Sequence, residues 1–328
     1  MKTFLKLIFN IALVCGTLLA QGPAFAQFQP TKPVRIITAH SAGSGPDAAL
    51  RALAEILSAR WHQPVIIDNR PGGNAFIAVN AFISQPPDGH TLISLDSNVL
   101  TTHPYTFSKL PYDPAKDFET VRPILAARFF VVVAKTSRFK TLDDILAAAK
   151  AAPEHVTYGS WYVGSPGHLG VLNLQSMKNV RMTHVPYKDT NQLFAAVSAG
   201  DVDWALGTLA SAGPMEQGGR LRFLAWTGAE RNVTYPTVPT ATESAGTRGY
   251  EAGGWNGLFV PRGTPMTVRA QIANDVGLAL TSKAMVERYR AFGYDDLALS
   301  PEAFAQRIKA ESGAWKKAIH DAGGLKLD

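Results

Sequence analysis

Cysteine is almost missing from this chain of 328 residues: Cys15 is the only one. It falls in an amino-terminal stretch with the marks of a removable leader, so neither disulfides nor thiol chemistry are expected in the rest of the chain. Val14 before it is too large for a lipoprotein cleavage site, which takes a small residue there. Beyond the leader no run of apolar residues is long enough for a membrane-spanning helix. Blocks of basic residues are missing as well, which argues against nucleic acid as a partner. There is no Gly-x-Ser-x-Gly elbow of a serine hydrolase. The 8 histidines are scattered without paired ligand spacing and without cysteine support, so no metal and no cofactor are expected.

What is present starts with the leader. Lys2 and Lys6 give a positive start, Leu7 to Ala20 is mostly apolar, and Ala24-Phe25-Ala26 is an A-x-A cleavage site. Residues 1–26 therefore read as a secretory signal peptide cut after Ala26, and the periplasm is the expected location. Removing Lys2 and Lys6 takes the formal charge from +6 to +4, a mild excess that serves solubility and also favours the arrival of an anion. About 300 remaining residues exceed what one core usually supports, so two domains are expected. Without disulfides their stability rests on apolar burial, for which 46% hydrophobic residues suffice.

The stretch Val34 to Arg60 carries the plainest pattern. Val34, Ile36 and Ile37 suit a buried strand, and Leu50, Leu53, Ala54 and Leu57 recur at helical spacing. Between them lies Ala39-His40-Ser41-Ala42-Gly43-Ser44-Gly45-Pro46-Asp47, with Pro46 and Asp47 suited to a first helical turn. Free N–H groups and the positive end of the helix dipole would face the loop mouth, a seat for a carboxylate or phosphate. A plain strand-to-helix turn would look the same.

The alternation continues. Val65–Asn69 and His90–Leu95 read as strands and Phe76–Ser84 as a helix, so a parallel, doubly wound sheet is expected, with Ser97 and Asn98 delivered near the mouth of the first loop. Thr102 to Val121 reads as a wrapped loop. The apolar run Ala127–Ala134 reads as a strand and a crossing into a second domain. Thr141 and Asp144 form a near capping box. Val156–Gly159 then opens into Ser160-Trp161-Tyr162-Val163-Gly164-Ser165-Pro166-Gly167-His168, the same order of strand, Gly/Ser loop, proline and helix start. Two such seats facing one another would clasp a ligand. Further strands are expected at Arg181–Lys188, Asp201–Leu206 and Gly218–Trp226, a return crossing at Gly253–Pro261, and amphipathic helices at Ile272–Leu280 and Ala303–Ile319.

The ordered segments KPVRII, QPVIIDNRPGG, QPPDGHTL, TYGS with GSPGHL, HVPYK, AGDVDWALG, GGRLRFLAWT with YPTVPTATESAG, and GGWNGLFVPRGTP closely resemble the extracytoplasmic solute receptors of tripartite tricarboxylate transporters, the Bordetella uptake gene or Bug family. The resemblance covers essentially the whole chain after the leader. It implies α/β architecture of the type II periplasmic binding protein fold, two doubly wound α/β domains with a ligand cleft between them. The expected division is 27–128 with 254–328 for the first domain and 129–253 for the second. It also implies a monomeric, non-enzymatic receptor that passes a small-molecule carboxylate to the membrane permease subunits of a tripartite transporter.

Carried over by position, the resemblance puts Ser41, Gly43, Ser44, Gly45 and Asp47 in a first carboxylate loop and Ser160, Gly164, Ser165 and His168 in a second. Pro46 departs from the family pattern and cannot donate an N–H. Trp161 and Tyr162 stand where small residues are usual, and no glycine follows Lys188. If both rings face the cleft, a planar aromatic carboxylate such as a benzoate or phthalate-type acid gains by stacking. If they pack under the loop or on the surface, an aliphatic di- or tricarboxylate or an acidic amino acid fits instead, its far end held by Arg128 or by Ser97 and Asn98. His40 and His168 are candidate direct or water-mediated contacts, and Lys188 and Asp189 candidate contacts or a solvated strand end. Arg128 could equally form a hinge salt bridge. A secreted hydrolase using Ser44 with His40, His168 and Asp47 is the remaining, enzymatic alternative.

Overall fold

A computed structural model describes residues 29–244, 247–321 and 326–327. The leader and its cleavage site lie outside the described residues.

Two α/β lobes are each built on one mixed sheet. In the first, strands β1 (Val34–Thr38), β2 (Val65–Asn69) and β3 (Thr91–Asp96) run parallel, with β1 between the other two. Their β-branched and leucine residues are buried on β1 and β3, where helices cover both faces. Helix α1 (Gly45–Trp61) buries Leu50, Leu53, Leu57 and Trp61 on one stripe and ends at His62 in the left-handed conformation. Each such leucine contributes about 1.5–3 kcal/mol. Helix α2 (Phe76–Ile83) covers the other face through Ala78, Val79 and Phe82.

The expected parallel sheet is extended to a mixed one by three further strands. β4 (Phe118–Arg128) pairs with β10 (Gly253–Pro261) and with the short β11 (Tyr294–Asp295), and β10 pairs with β3, giving the order β11-β4-β10-β3-β1-β2, in which β10 and β11 run against the rest. The wrapped loop expected at Thr102 to Val121 instead holds a short helix, α4 (His103–Thr106), after α3 (Ser97–Thr101), and the start of β4. The start of β4 buries Phe118, Val121 and Ile124 at a spacing of three, so it lacks the period-two alternation by which a strand is read.

The chain passes between lobes through Phe129, since β4 belongs to the first sheet and β5 (Phe130–Ala134) to the second. The second sheet has the order β7-β6-β8-β5-β9, with β6 (Thr157–Ser160), β7 (Thr183–Pro186), β8 (Trp204–Gly207) and β9 (Leu221–Trp226). β6 is parallel to β7 and β8, whereas β5 is antiparallel to β8 and β9. Around it pack α5 (Leu142–Ala151), α6 (Pro166–Lys178), α7 (Thr190–Ala199) and α8 (Leu209–Gln217). The capping box read at Thr141 and Asp144 opens α5. After β10, α9 (Met266–Leu280), α10 (Lys283–Phe292) and α11 (Pro301–Asp321) complete the chain's helices among the described residues.

Candidate functional site

The loops after β1 and β6 are one device used twice. Gly43 and Gly164 hold φ of +80° and +79°, a conformation that favours glycine. Ser44 and Ser165 follow as N-caps, their Oγ atoms accepting from the N–H of Asp47 at 3.4 Å and of His168 at 3.3 Å. The third helical side chain then turns back: Asp47 Oδ2 accepts from Gly43 N–H at 2.8 Å, and His168 Nδ1 accepts from Gly164 N–H at 2.9 Å. Burial alone would raise the Asp47 pKa, but the bonds from Arg51, Asn69 and Gly43 outweigh it and hold the carboxyl below its ordinary value. Asp47 and His168 thus brace their own loops and do not line the space between the lobes.

That space is a narrow cleft with about 50 Å³ open to the centre of a water molecule. Helix beginnings surround it: Ser44 and Pro46 of α1, Pro166 of α6, Asp189 and Thr190 of α7, and Thr208 and Ser211 of α8 all line it. Ser44, Asp189 and Thr208 are side-chain N-caps of their helices. Four helix dipoles of 9 to 17 residues therefore present their positive ends to one cleft. Hydroxyls aimed there are unspent. The oxygens of Ser41 and Thr190 are buried with no hydrogen-bond partner among the described residues, although a buried polar atom normally has one. Lys188, exposed, is the only lysine or arginine among the lining residues. The remaining wall is largely aromatic, from Phe129, Trp161, Tyr162, Phe194, Trp255 and Tyr294.

Part of the lining is a polar cluster beside the first loop. Asp96, the last residue of β3, accepts from Tyr162 Oη at 2.7 Å and from Asn256 Nδ2 at 3.0 Å. Burial first, then the Asp96 charge, pushes the Tyr162 phenol well above its ordinary pKa, so it stays protonated and donates. Asn256 Nδ2 also lies 2.7 Å from His40 Nε2, and its oxygen accepts from Ser94. Because Tyr162 belongs to the second lobe and Asp96 to the first, this bond joins them, as does Asn98 Nδ2 donating to Gly164 O at 2.6 Å.

Of the residues singled out in the sequence, His40, Ser41, Ser44, Trp161, Tyr162, Lys188 and Asp189 line the cleft. Gly43, Gly45, Gly164 and Ser165 shape the two loops. Ser160 lies beneath, its Oγ donating to Tyr162 O at 2.9 Å and 2.7 Å from His184 Nε2. Ser97, Asn98 and Arg128 line a different groove between the lobes. Arg128 is no buried cation: at the exposed end of β4 it pairs with Glu251 at 3.0 Å, the hinge salt bridge. Sequence reading missed Asp96, Thr190, Thr208, Ser211, Asn256 and Tyr294. Asp189 with Gln192 three residues on is a capping pattern that marks the third helix start; Asn256 and Tyr294 carry no local signal.

Two buried histidines and a half-buried one set an acid limit on this arrangement. His168 and His184 stack at 3.9 Å, and burial lowers their pKa values to about 3 and about 4, the charge of His184 adding to the effect on His168. Burial lowers His103 to about 3 as well. Each folded value lies below the ordinary 6.5, so as pH falls below that value the unfolded chain takes up protons that the folded chain refuses. Stability is expected to be flat above about pH 7 and to fall by a few kcal/mol between about pH 6.5 and 4, before the carboxylates titrate. Urea midpoints across that range test it, and His184→Gln should flatten the slope; a midpoint constant down to pH 4 would contradict it.

Comparison with known proteins points the same way. Residues 49–324 match the family described as tripartite tricarboxylate transporter family receptor, TctC. A UPF0065 protein in the gbd 5′ region of Cupriavidus necator is 32% identical over 94% of this chain and 93% of its own. The solved structure of R. palustris Rpa4515 with adipate superposes with a TM-score of 0.86 at 30% identity, covering 91% of this chain and 99% of that one. MatC from Rhodopseudomonas palustris with bound malate gives 0.81 at 27% identity, covering 88% of this chain and 99% of that one. With two α/β lobes, a cleft between them and a match across most of its length, the chain belongs to the TctC family of tripartite tricarboxylate transporter solute receptors.

Proposed function

We propose that this receptor binds a carboxylate with an aromatic body in the cleft between its lobes, in the periplasm, and delivers it unchanged to the permease subunits of a tripartite transporter. The observation that carries this reading is the convergence of four helix N-termini and two unpartnered hydroxyls on one cleft. A carboxylate completes those hydroxyls and sits at the positive ends of the dipoles. Adipate and malate in two structural relatives support a carboxylate in general.

The aromatic part rests on the wall. Trp161 packs over Gly167 and edge-on to Phe129 at 5.8 Å, leaving one side to the cleft beside Phe194 and Trp255. Stacking there is worth about 0.5–1.5 kcal/mol beyond area burial, or about two- to tenfold in affinity. The competing reading is an aliphatic dicarboxylate, favoured by those same two relatives. Titrating aromatic and aliphatic acids into the parent and Trp161→Ala while following tryptophan fluorescence separates them. Aromatic acids should bind more tightly and weaken two- to tenfold in the variant. A preference for aliphatic acids that Trp161→Ala leaves untouched would sink the aromatic reading.

A further inference from the structure

We infer that Asp96 sets the specificity of this cleft: it selects a ligand that carries a hydrogen-bond donor, a hydroxyl or amino group, in addition to its carboxylate, and rejects a second carboxylate in the donor's place. The inference deepens the carboxylate reading above and rests on it.

The bonding around Asp96 orients the donors of its neighbours. A carboxylate only accepts, so the Asn256 group 3.0 Å away is its amide nitrogen, and Ser94 Oγ donates to the Asn256 oxygen. The second amide hydrogen then points at His40 Nε2, 2.7 Å away, which must accept it. His40 therefore carries its proton on Nδ1 and is neutral. Although its ring nitrogen is 3.7 Å from Asp96 Oδ1, it is no counter-ion. Tyr162, the other partner, is neutral as well. Lys188, at the mouth of the same cleft, forms no ion pair with Asp96 among the described residues.

Asp96 thus faces the cleft as an anion held only by neutral donors. Of its roughly four acceptor sites, Tyr162 and Asn256 fill two. The remaining sites suit a hydroxyl or an ammonium of the ligand, and a charge-assisted bond of that kind is stronger than a neutral one. A ligand carboxylate in the same place meets like charge in a narrow, aromatic-walled slot where water screens it little. Specificity then comes as much from rejecting the diacid as from binding the hydroxy acid.

The test is calorimetric titration of two matched pairs, 4-hydroxybenzoate against terephthalate and 6-hydroxyhexanoate against adipate, in the parent protein and in Asp96→Asn. In the parent, the hydroxy acid of each pair that binds should be at least tenfold tighter than its diacid. Asp96→Asn, isosteric and able to donate, should bring that ratio to one or invert it. Should only the aliphatic pair bind, the aromatic reading falls while the ratio within that pair still decides the role of Asp96. A parent that binds the diacid as tightly as the hydroxy acid overturns the inference, as does a ratio unmoved in Asp96→Asn. Binding of neither pair overturns both this inference and the reading on which it rests.

Discussion

Gly45→Val is expected to weaken ligand binding at least 100-fold while leaving both lobes folded. Gly45 opens α1, and its φ is not positive, so the backbone itself accepts a larger residue. The obstacle is the other lobe. A Cβ at position 45 would lie 2.5 Å from the Cβ of Ala210 and 3.3 Å from Ser211 Oγ, both in the first turn of α8, and also against Tyr294 Oη. The Tyr294 hydroxyl ends a long side chain and can move, but Ala210 has no atoms to yield. The cheapest relief is for the lobes to stay apart, which removes the clash and dismantles the site together. A 100-fold loss corresponds to about 2.7 kcal/mol, within what one overpacked contact costs. Titration of the tightest acid found for the parent measures it, and small-angle scattering gives an independent reading. The parent should contract on adding that acid and the variant should not, while thermal midpoints without ligand stay within a few degrees. Affinity within threefold of the parent would show that the closed arrangement of α1 against α8 is not the binding state.

The same contact shows what the sequence can and cannot disclose. The two Gly/Ser loops are legible because capping is local: a serine, a proline one or two places on and a polar side chain at the third helical position all fall within five residues. What those polar side chains do is not legible. Asp47 and His168 look like ligand contacts in the sequence, yet each returns to the amide of the glycine before its cap. Strands β1 and β3 are evident from their apolar runs. Their neighbours are not, since β10 pairs with β3 and β4 across more than a hundred residues, and pairing direction leaves no mark on the strand's own composition. Asp96 lies at the very end of one of those evident strands, but its role needs Tyr162 from the other lobe and Asn256 from the returning strand. Convergence of this kind is a tertiary property, and periodicity and capping patterns cannot carry it.

Thr227→Val is expected to cost about 2–4 kcal/mol of stability, although it exchanges one β-branched side chain for another of nearly the same shape. Thr227 is fully buried at the waist, where the chain crosses between lobes. Its Oγ1 accepts from Phe129 N–H at 2.8 Å and donates to Ala252 O at 2.5 Å, while its own N–H donates to Phe129 O at 2.8 Å. One hydroxyl therefore ties the outgoing crossing after β4, the end of β9 and the approach to β10. Valine keeps the volume but strands a buried N–H and a buried C=O, each costing about 1–3 kcal/mol when left without a partner. Thr227→Ser keeps both bonds and loses only a methyl group, so it should stay within about 1.5 kcal/mol of the parent. Urea unfolding of the three proteins measures the differences, with an unchanged slope expected because the surface exposed is the same. If the valine variant unfolds at the parental midpoint, the hydroxyl is not what holds the crossing segments together, and the pairing of β4 with β10 must bear the waist alone.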